Sequence, residues 1–539
     1  MKFFSLILAS VLWMPVLSGC KSVETTIGIR VDSQYPREDF RGVWLASIGN
    51  LDWPVSNEQT VEEQKADAVA ILDSLKGIGI NAVLFQVRAE SDALYASSYD
   101  PWSFWLTGEQ GRAPDPFYDP LFFMVREAHK RGMELHAWLN PFRVERKKGQ
   151  YDLAGNNVSL REPGWILEFE SRPGEYYTML NPGLPGVRDY VTNVVVDIIR
   201  RYDVDGIHFD DYFYPASPVS NEDSLAWRAY DNDTGDIGDW RRDNINRLMA
   251  QIHDSLQALA PHVSYGISPF PIRKNDDAGT NGLESYYTLY ADGQAWLEAQ
   301  SIDYINPQLY FEIGNDQADY ASMLAYWTEA AYNNRRYIYA GLSPYKLLPP
   351  HDWTLEQAVS QLRMNVEHPF LQGNIYFRTE HLLSNPKGYT DVLRDELYRY
   401  PALTPSMPWK NQEAPMQIDR LAASWSGDGR VVLTWADRET GNETSNTARY
   451  AVYRLVDSFE QYEKVLEAGA LADAGLRKAI LQARNMADVT GPKQFVDHWP
   501  DHRGEAIYIV TAVSRNSIES EPAAIRAVRE GDVFSYHAL

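Results

Sequence analysis

Between Arg41 and Leu397 two hydrophobic rhythms alternate: short β-branched or aromatic runs, then longer stretches with apolar residues three and four apart. The first rhythm predicts strands at Gly42 to Ser47, Ala82 to Val87, Glu134 to Leu139, Gly206 to Asp210, Val263 to Ser268, Tyr304 to Leu309, Tyr337 to Leu342 and Asn374 to Phe377. The second predicts helices at Val61 to Leu75, Pro120 to Arg131, Val187 to Tyr202, Asn244 to Ala258, Ala318 to Ala331, Leu355 to Val366 and Tyr389 to Leu397, with a short one at Gly293 to Gln300. Strands separated by helices call for a parallel sheet, and eight such units fit a (β/α)8 TIM barrel, with a doubly wound open sheet as the competing α/β arrangement. Two long segments, Ala89 to Asp119 and Phe142 to Pro185, read as barrel-rim loops that form lids or subsite walls.

After Leu397 the pattern changes. Pro401, Pro405 and Pro408 mark a linker over 401–415, and period-two runs such as Val431 to Trp435, Tyr450 to Leu455 and Ala506 to Ala512 predict a small all-β sandwich over 416–530, resembling a fibronectin type III module. The barrel is expected to occupy 38–400.

Composition narrows the partners. A formal charge of −24 repels a polyanion and argues against nucleic acid, while 16 Trp and 33 Tyr suit stacking on sugar rings, although most of these rings must be core. Lys2 followed by the apolar run Phe3 to Val16 and by Leu17-Ser18-Gly19-Cys20 reads as a secretion signal over 1–19 ending in a lipobox. Cys20, the single cysteine, is then the lipidation site and 20–37 a polar tether, which predicts anchoring to a membrane of the bacterial cell envelope. It also excludes an internal disulfide and a catalytic thiol in the mature domain. The acidic stretch Asp231 to Asp236 lacks the spacing of a calcium loop, no His stands at metal-ligand spacing, and no metal or cofactor is expected.

Chemistry in a barrel gathers where strands end. The octapeptide Asp205-Gly206-Ile207-His208-Phe209-Asp210-Asp211-Tyr212 closes the fourth predicted strand on two carboxylates, and cleavage of a glycosidic bond needs such a pair, one to protonate the leaving oxygen and one to attack or to activate water. The other C-terminal edges add Gln86, Arg88 and Glu90; Asn140 and Arg143; Gln308, Tyr310 and Glu312; and Arg378 with Glu380. The N-terminal edges collect nothing comparable.

The motifs Arg41-Gly42-Val43-Trp44, Asn81 to Arg88, His136-Ala137-Trp138-Leu139-Asn140-Pro141, Asp205 to Tyr212 and Ile305-Asn306-Pro307-Gln308-Leu309-Tyr310 fall in one order. Over about Pro36 to Tyr400 the chain resembles the glycosyl-hydrolase-like family 10 of bacterial envelope glycosidases. That resemblance implies a polysaccharide or oligosaccharide substrate, with peptide-free peptidoglycan strands as one candidate. The fourth-strand segment also resembles that of chitinase-type barrels, but Tyr212 stands where those enzymes place their acid Glu, which argues against substrate-assisted hydrolysis.

Strand alternation through Gly206 and His208 makes Asp210 the expected nucleophile or base and turns Asp211 away as support. Glu312, beside Tyr310 and Phe311, is the expected proton donor, with Glu380 and Glu90 in reserve; each could instead pair with Arg378, Arg88 or Arg143. Trp44, Gln86, Arg88, Glu90, Asn140, Arg143, His208, Tyr212, Gln308, Tyr310 and Arg378 are the expected substrate contacts, with Trp44, Trp102 and Trp105 as stacking platforms. A glycoside hydrolase is the leading reading, a noncatalytic glycan-binding lipoprotein the alternative. Ester cleavage lacks a Gly-x-Ser-x-Gly elbow.

Overall fold

The structure, a computed structural model, describes residues 35–216, 219–231, 235–438, 446–455, 476–477, 479–499 and 504–539. The signal-like segment, Cys20 and nearly all of the expected tether lie outside the described residues, as do Asn232 to Thr234 of the acidic stretch.

The barrel strands are β1 (Phe40–Leu45), β2 (Ala82–Arg88), β3 (Glu134–Leu139), β4 (Gly206–Phe209), β5 (Ser264–Ile267), β6 (Tyr304–Ile305), β7 (Tyr337–Ile338 and Ala340–Leu342) and β8 (Gly373–Tyr376). All are parallel. β7 is interrupted at Tyr339; its first half pairs with β6 and its second half with β8, so one stretch of chain closes the ring. The competing open sheet is thereby excluded, and all eight predicted strands are present with ends shifted by a few residues.

Local signals set the helices between them. Thr60 and Glu63 form a reciprocal capping box at the start of Val61–Ile78, and Gly79 ends that helix in the left-handed region at φ 97°. Asp119 caps Pro120–Lys130, with Pro120 in the first turn.

Alternation along the strands builds two cores. Residues facing outward, including Val43, Val83, Phe85, Leu135, Ile207, Phe209 and Ile305, pack against the helices. Those facing inward, Phe40, Trp44, Leu84, Trp138, Tyr304, Tyr339 and Ile375, fill the barrel. Such large rings fit because glycines face them: a Cβ on Gly206 would lie 2.4 Å from His136 Nδ1, and one on Gly266 1.9 Å from Tyr304 Cζ.

The interior is also polar. Trp44 Nε1–H donates to His208 Nε2 at 3.2 Å, His208 Nδ1 and Tyr304 Oη are 3.0 Å apart, Tyr304 Oη and His136 Nδ1 are 3.0 Å apart, and His136 Nε2 lies 3.2 Å from Glu134 Oε2. A tryptophan can only donate and a carboxylate only accept, so the protons in this chain all point toward Glu134. His208 is fully buried and held neutral, its pKa driven well down by burial and then by His136.

Two expectations change at the bottom of the barrel. Its N-terminal edges are not bare: Asp39, Glu134 and Asp303 sit there buried, with Asp205 partly buried beside them. Each meets a cation, and most of these come from the C-terminal third: Arg41 on Asp39 at 2.9 Å, Arg449 on Glu134 at 2.9 Å, Arg515 on Asp205 at 3.2 Å and Lys410 on Asp303 at 3.0 Å. The proline-rich segment after Leu397 is no free spacer either, because Leu403 and Met407 are buried and Leu403 exchanges backbone hydrogen bonds with Arg37 and Asp39.

Beyond it stand two antiparallel sheets. One has the order Asp419–Trp425, Arg430–Ala436, Gln494–His498; the other the order Met486–Thr490, Thr447–Leu455, Glu505–Ser514, Ala523–Glu530, Val533–Ala538. Trp435, Tyr450, Val452, Tyr508 and Val510 share a core drawn from both sheets, and the last strand carries the module past residue 530.

Candidate active site

The residue after β3 and the two after β4 face one another across the barrel mouth. Asn140 Nδ2–H donates to Asp210 Oδ1 at 2.8 Å, Trp138 Nε1–H donates to Asp210 Oδ2 at 3.3 Å, and the Tyr212 N–H reaches Asp210 Oδ1 at 3.4 Å. Asn140 is itself oriented, since its Oδ1 accepts from the backbone N–H of Arg143 at 2.7 Å and of Phe142 at 3.2 Å. Asp210 is thus a carboxylate clamped by two side-chain donors, of which Asn140 is fixed in turn.

Asp211 does not turn away. It is as buried as Asp210 and bonds Gln308, whose amide also donates to Ser268 O at 3.2 Å. The two aspartates therefore reach opposite sides of one mouth, toward β3 and toward β6. Their protonation is split by their surroundings. Burial and then the charge of Asp210 push the Asp211 carboxyl up to about 8, leaving it protonated at neutral pH. Asp210 is also raised by burial, but Arg143, Trp138, Asn140 and the Tyr212 N–H oppose that rise. Two adjacent carboxyls sharing one proton can supply a charged base and a neutral acid.

Glu312, the expected donor, lies on the segment after β6, where its carboxylate acts on Lys346 and Phe311 packs under that same ammonium at 5.5 Å. Among the described residues no hydrogen bond joins it to Asp210 or Asp211. Glu380 is half exposed and ion-paired with Arg378, which also holds Asp52 Oδ1 at 2.6 Å. This is a latch between the ends of β8 and β1, one of the structural ion pairs that the sequence left open.

Several expected substrate contacts are inside the protein. Trp44 is 2% exposed and spends its N–H on His208, so neither it nor His208 presents a face to a ligand. Gln86 accepts from the N–H groups of Ser47 and Ile48, each at 3.0 Å, and pins the end of β1. Arg88 is sealed by Asp100 at 2.8 Å and by the carbonyl of Asn140 at 2.7 Å. Glu90 accepts from Trp105 Nε1 at 2.8 Å and Tyr151 Oη at 3.0 Å, which removes Trp105 as a platform too. Trp102 packs edge-on against Phe117.

What remains at the mouth is Arg143, Tyr212, Gln308 and Tyr310, while Asn140 is fully buried and spends its amide on Asp210 and on the backbone. The Arg143 guanidinium lies 4.7 Å over the Tyr212 ring, and Tyr310 packs against Tyr345 and Phe377 with centroids 6.2 and 6.3 Å away. Trp138 and Tyr177 were missed. Trp138 is two residues before Asn140 on the same strand face, so alternation could have found it. Tyr177, which bonds Arg143, arrives on an antiparallel sheet of Arg143–Glu145, Ile166–Arg172 and Glu175–Leu180 built within the segment expected to be a loop. With Tyr212 this sheet walls a cleft of about 850 Å³ beside the aspartates.

The chain is similar to known glycosyl hydrolases. It is 36% identical over 442 residues to glycosyl hydrolase YngK of Bacillus subtilis, covering 80% of this chain and 85% of that one. It is 35% identical over 376 residues to glycosyl hydrolase DigH of Escherichia coli K12, covering 65% and 85%. Among solved structures, the glycoside hydrolase domain of PgaB (BpsB) from Bordetella bronchiseptica aligns with a TM-score of 0.43 at 15% identity, over 67% of this chain and 99% of that one. The model of the family described as Glycosyl hydrolase-like 10 matches residues 39–356, the span that carries every barrel strand but the last, and the chain belongs to that family.

Proposed function

We propose that this protein is a glycoside hydrolase in which Asp210 is the ionised nucleophile or base and Asp211 the proton donor. One observation carries the reading: two adjacent buried carboxyls at a strand-end mouth, one clamped by Asn140 and Trp138 and the other raised to about 8. Gln308, Tyr310 and Tyr212 line the approach and suit sugar hydroxyls and ring faces. The substrate is an envelope or extracellular polysaccharide, peptide-free peptidoglycan strands being one candidate. Export and lipidation at Cys20 would hold the enzyme at the bacterial cell envelope, and 416–530, extended by its last strand, reads as a fibronectin type III-like module that caps the barrel bottom.

The test is hydrolysis of a glycan panel by wild type, Asp210→Asn, Asp211→Asn, Glu312→Gln and Glu380→Gln. Loss of a proton donor lowers the rate by about 10²–10⁴, and loss of Asp210 lowers it at least as far, whereas the two glutamate variants stay within roughly tenfold of wild type by the same scale. Near wild-type rates in both aspartate variants would sink the assignment. A glycan-binding lipoprotein without turnover predicts no rate in any of them. Fatty-acid labelling of wild type against Cys20→Ala tests the anchor.

A further inference from the structure

The polar chain on the barrel axis reaches the catalytic mouth. Trp44 Nε1 can only donate, so His208 Nε2 accepts, and a neutral His208 then carries its proton on Nδ1. That proton goes to Tyr304 Oη, the Tyr304 hydroxyl donates on to His136 Nδ1, and His136 Nε2–H ends on Glu134 Oε2. At the upper end His208 Nε2 also lies 3.3 Å from Ser268 Oγ, and the backbone carbonyl of Ser268 accepts from the amide of Gln308, the partner of Asp211. One hydrogen-bonded path therefore runs from the buried acid that begins β3 to the residue that bonds the proposed proton donor.

Such a chain has two directions, and its links reverse together, because each ring and the hydroxyl between them gives a proton on one side and takes one on the other. The bottom of the barrel decides between them. Glu134 Oε1 accepts from Arg449 Nη2 at 2.9 Å and from Thr404 Oγ1, which leaves Oε2 to face His136. Burial opposes the charge on Glu134, but Arg449 and then His136 outweigh it and hold the carboxyl below its ordinary value. An ionised carboxylate only accepts, so the protons run downward.

We propose that Glu134 is a positioning residue for the active site: from the far end of the barrel, through His136, Tyr304 and His208, it keeps His208 Nε2 an acceptor for Trp44 and Ser268 beneath Gln308 and Asp211. The inference rests on the reading of Asp211 as proton donor. Glu134→Gln reverses the chain without changing its shape. Arg449 and Thr404 claim the amide oxygen, so the amide nitrogen faces His136 Nε2 and donates to it. His136 then carries its proton on Nδ1, Tyr304 donates back to His208 Nδ1, and His208 is left with its proton on Nε2. No proton is gained or lost; each moves to the other side of its ring or oxygen. His208 Nε2–H then points at Trp44 Nε1–H, two donors across a native separation of 3.2 Å. Trp44 and Ser268 must shift, and the anchor of Gln308 shifts with Ser268.

Long-range nitrogen–proton NMR correlation on the full chain, labelled in histidine, reads which ring nitrogen carries the proton. In wild type His208 should be protonated on Nδ1 and His136 on Nε2, and in Glu134→Gln both should switch. On a glycan that wild type hydrolyses, kcat of Glu134→Gln should fall about ten-fold with KM little changed. Adding Arg449→Met frees the amide to turn and should restore the native tautomers and most of kcat. Lys410→Met breaks the pair with Asp303 at the same end of the barrel without touching the axial chain, and should lower stability while leaving tautomers and kcat alone. The opposite tautomers in wild type, a result that needs no variant to fold, would overturn the proposal, as would native tautomers in Glu134→Gln or switched tautomers with wild-type kcat. A wild type that hydrolyses no glycan removes the glycosidase reading and the positioning role with it; a working hydrolase whose tautomers do not switch removes the positioning role alone.

Discussion

Asp211 should make the folded protein less stable as the price of holding a proton, and replacing it should stabilise the fold while removing activity. Its carboxyl lies at about 8 in the folded chain against an ordinary 3.8. Between those values the folded state keeps a proton that the unfolded state has released, so stability falls as pH rises, by ~1.4 kcal/mol per pH unit for one proton. The penalty is under about 2 kcal/mol at pH 5, on the order of 4 kcal/mol at pH 7, and levels off above pH 8. Asparagine has nearly the same volume, carries no charge and still offers groups to Gln308, so Asp211→Asn lacks the pH-dependent term. Urea unfolding of wild type and variant, followed by circular dichroism at pH 5, 6, 7 and 8, should show the variant gaining on wild type by about 4 kcal/mol across that range, while its hydrolysis rate falls about 10²–10⁴-fold. A gap that stays constant with pH, or a variant that unfolds first at pH 8, would show that Asp211 is not held protonated by the fold.

On the proposed roles the same pair should set the pH dependence of turnover. An acid at Asp211 is lost as pH rises through about 8, and a base at Asp210, also raised, is lost as pH falls through a value above the ordinary 3.8; kcat against pH should therefore be bell-shaped, with the alkaline limb missing in Asp211→Asn. Tyr304→Phe cuts the axial chain between His208 and His136 and should lower stability by roughly 1–3 kcal/mol, since it leaves buried ring nitrogens unpaired; a change confined to KM would contradict this placement. Arg449→Met strands Glu134 at the barrel bottom and should destabilise by about 3–5 kcal/mol, whereas Arg449→Met with Glu134→Gln should recover most of that loss in a double-mutant comparison of thermal unfolding.

The barrel was legible because its strands keep an in–out alternation that no loop disturbs: Val43, Val83, Leu135 and Ile207 face the helices while Trp44, Leu84, His136 and His208 face the axis. Alternation gives the face of a side chain but not its height along the axis or its partner. His208 and Asp210 share a face, yet His208 sits one layer down, where it meets Trp44 and Tyr304 instead of solvent. Three of the four acids at the N-terminal edges have partners remote in sequence: Glu134 meets Arg449, Asp205 meets Arg515 and Asp303 meets Lys410. No local pattern joins positions so far apart.

Asp211 was misjudged for a sharper reason. The strand β4 ends at Phe209, so the period of two that turns successive side chains to opposite faces no longer applies to Asp210 and Asp211, and the chain is free to aim both into the mouth. A pair of acids just beyond a strand end is therefore a stronger sign of a catalytic pair than the same two residues within the strand, where one of them would have to face the helices. In the barrel this escape from alternation places both groups within one buried pocket, and their mutual charge splits them into a proton holder and an ionised partner.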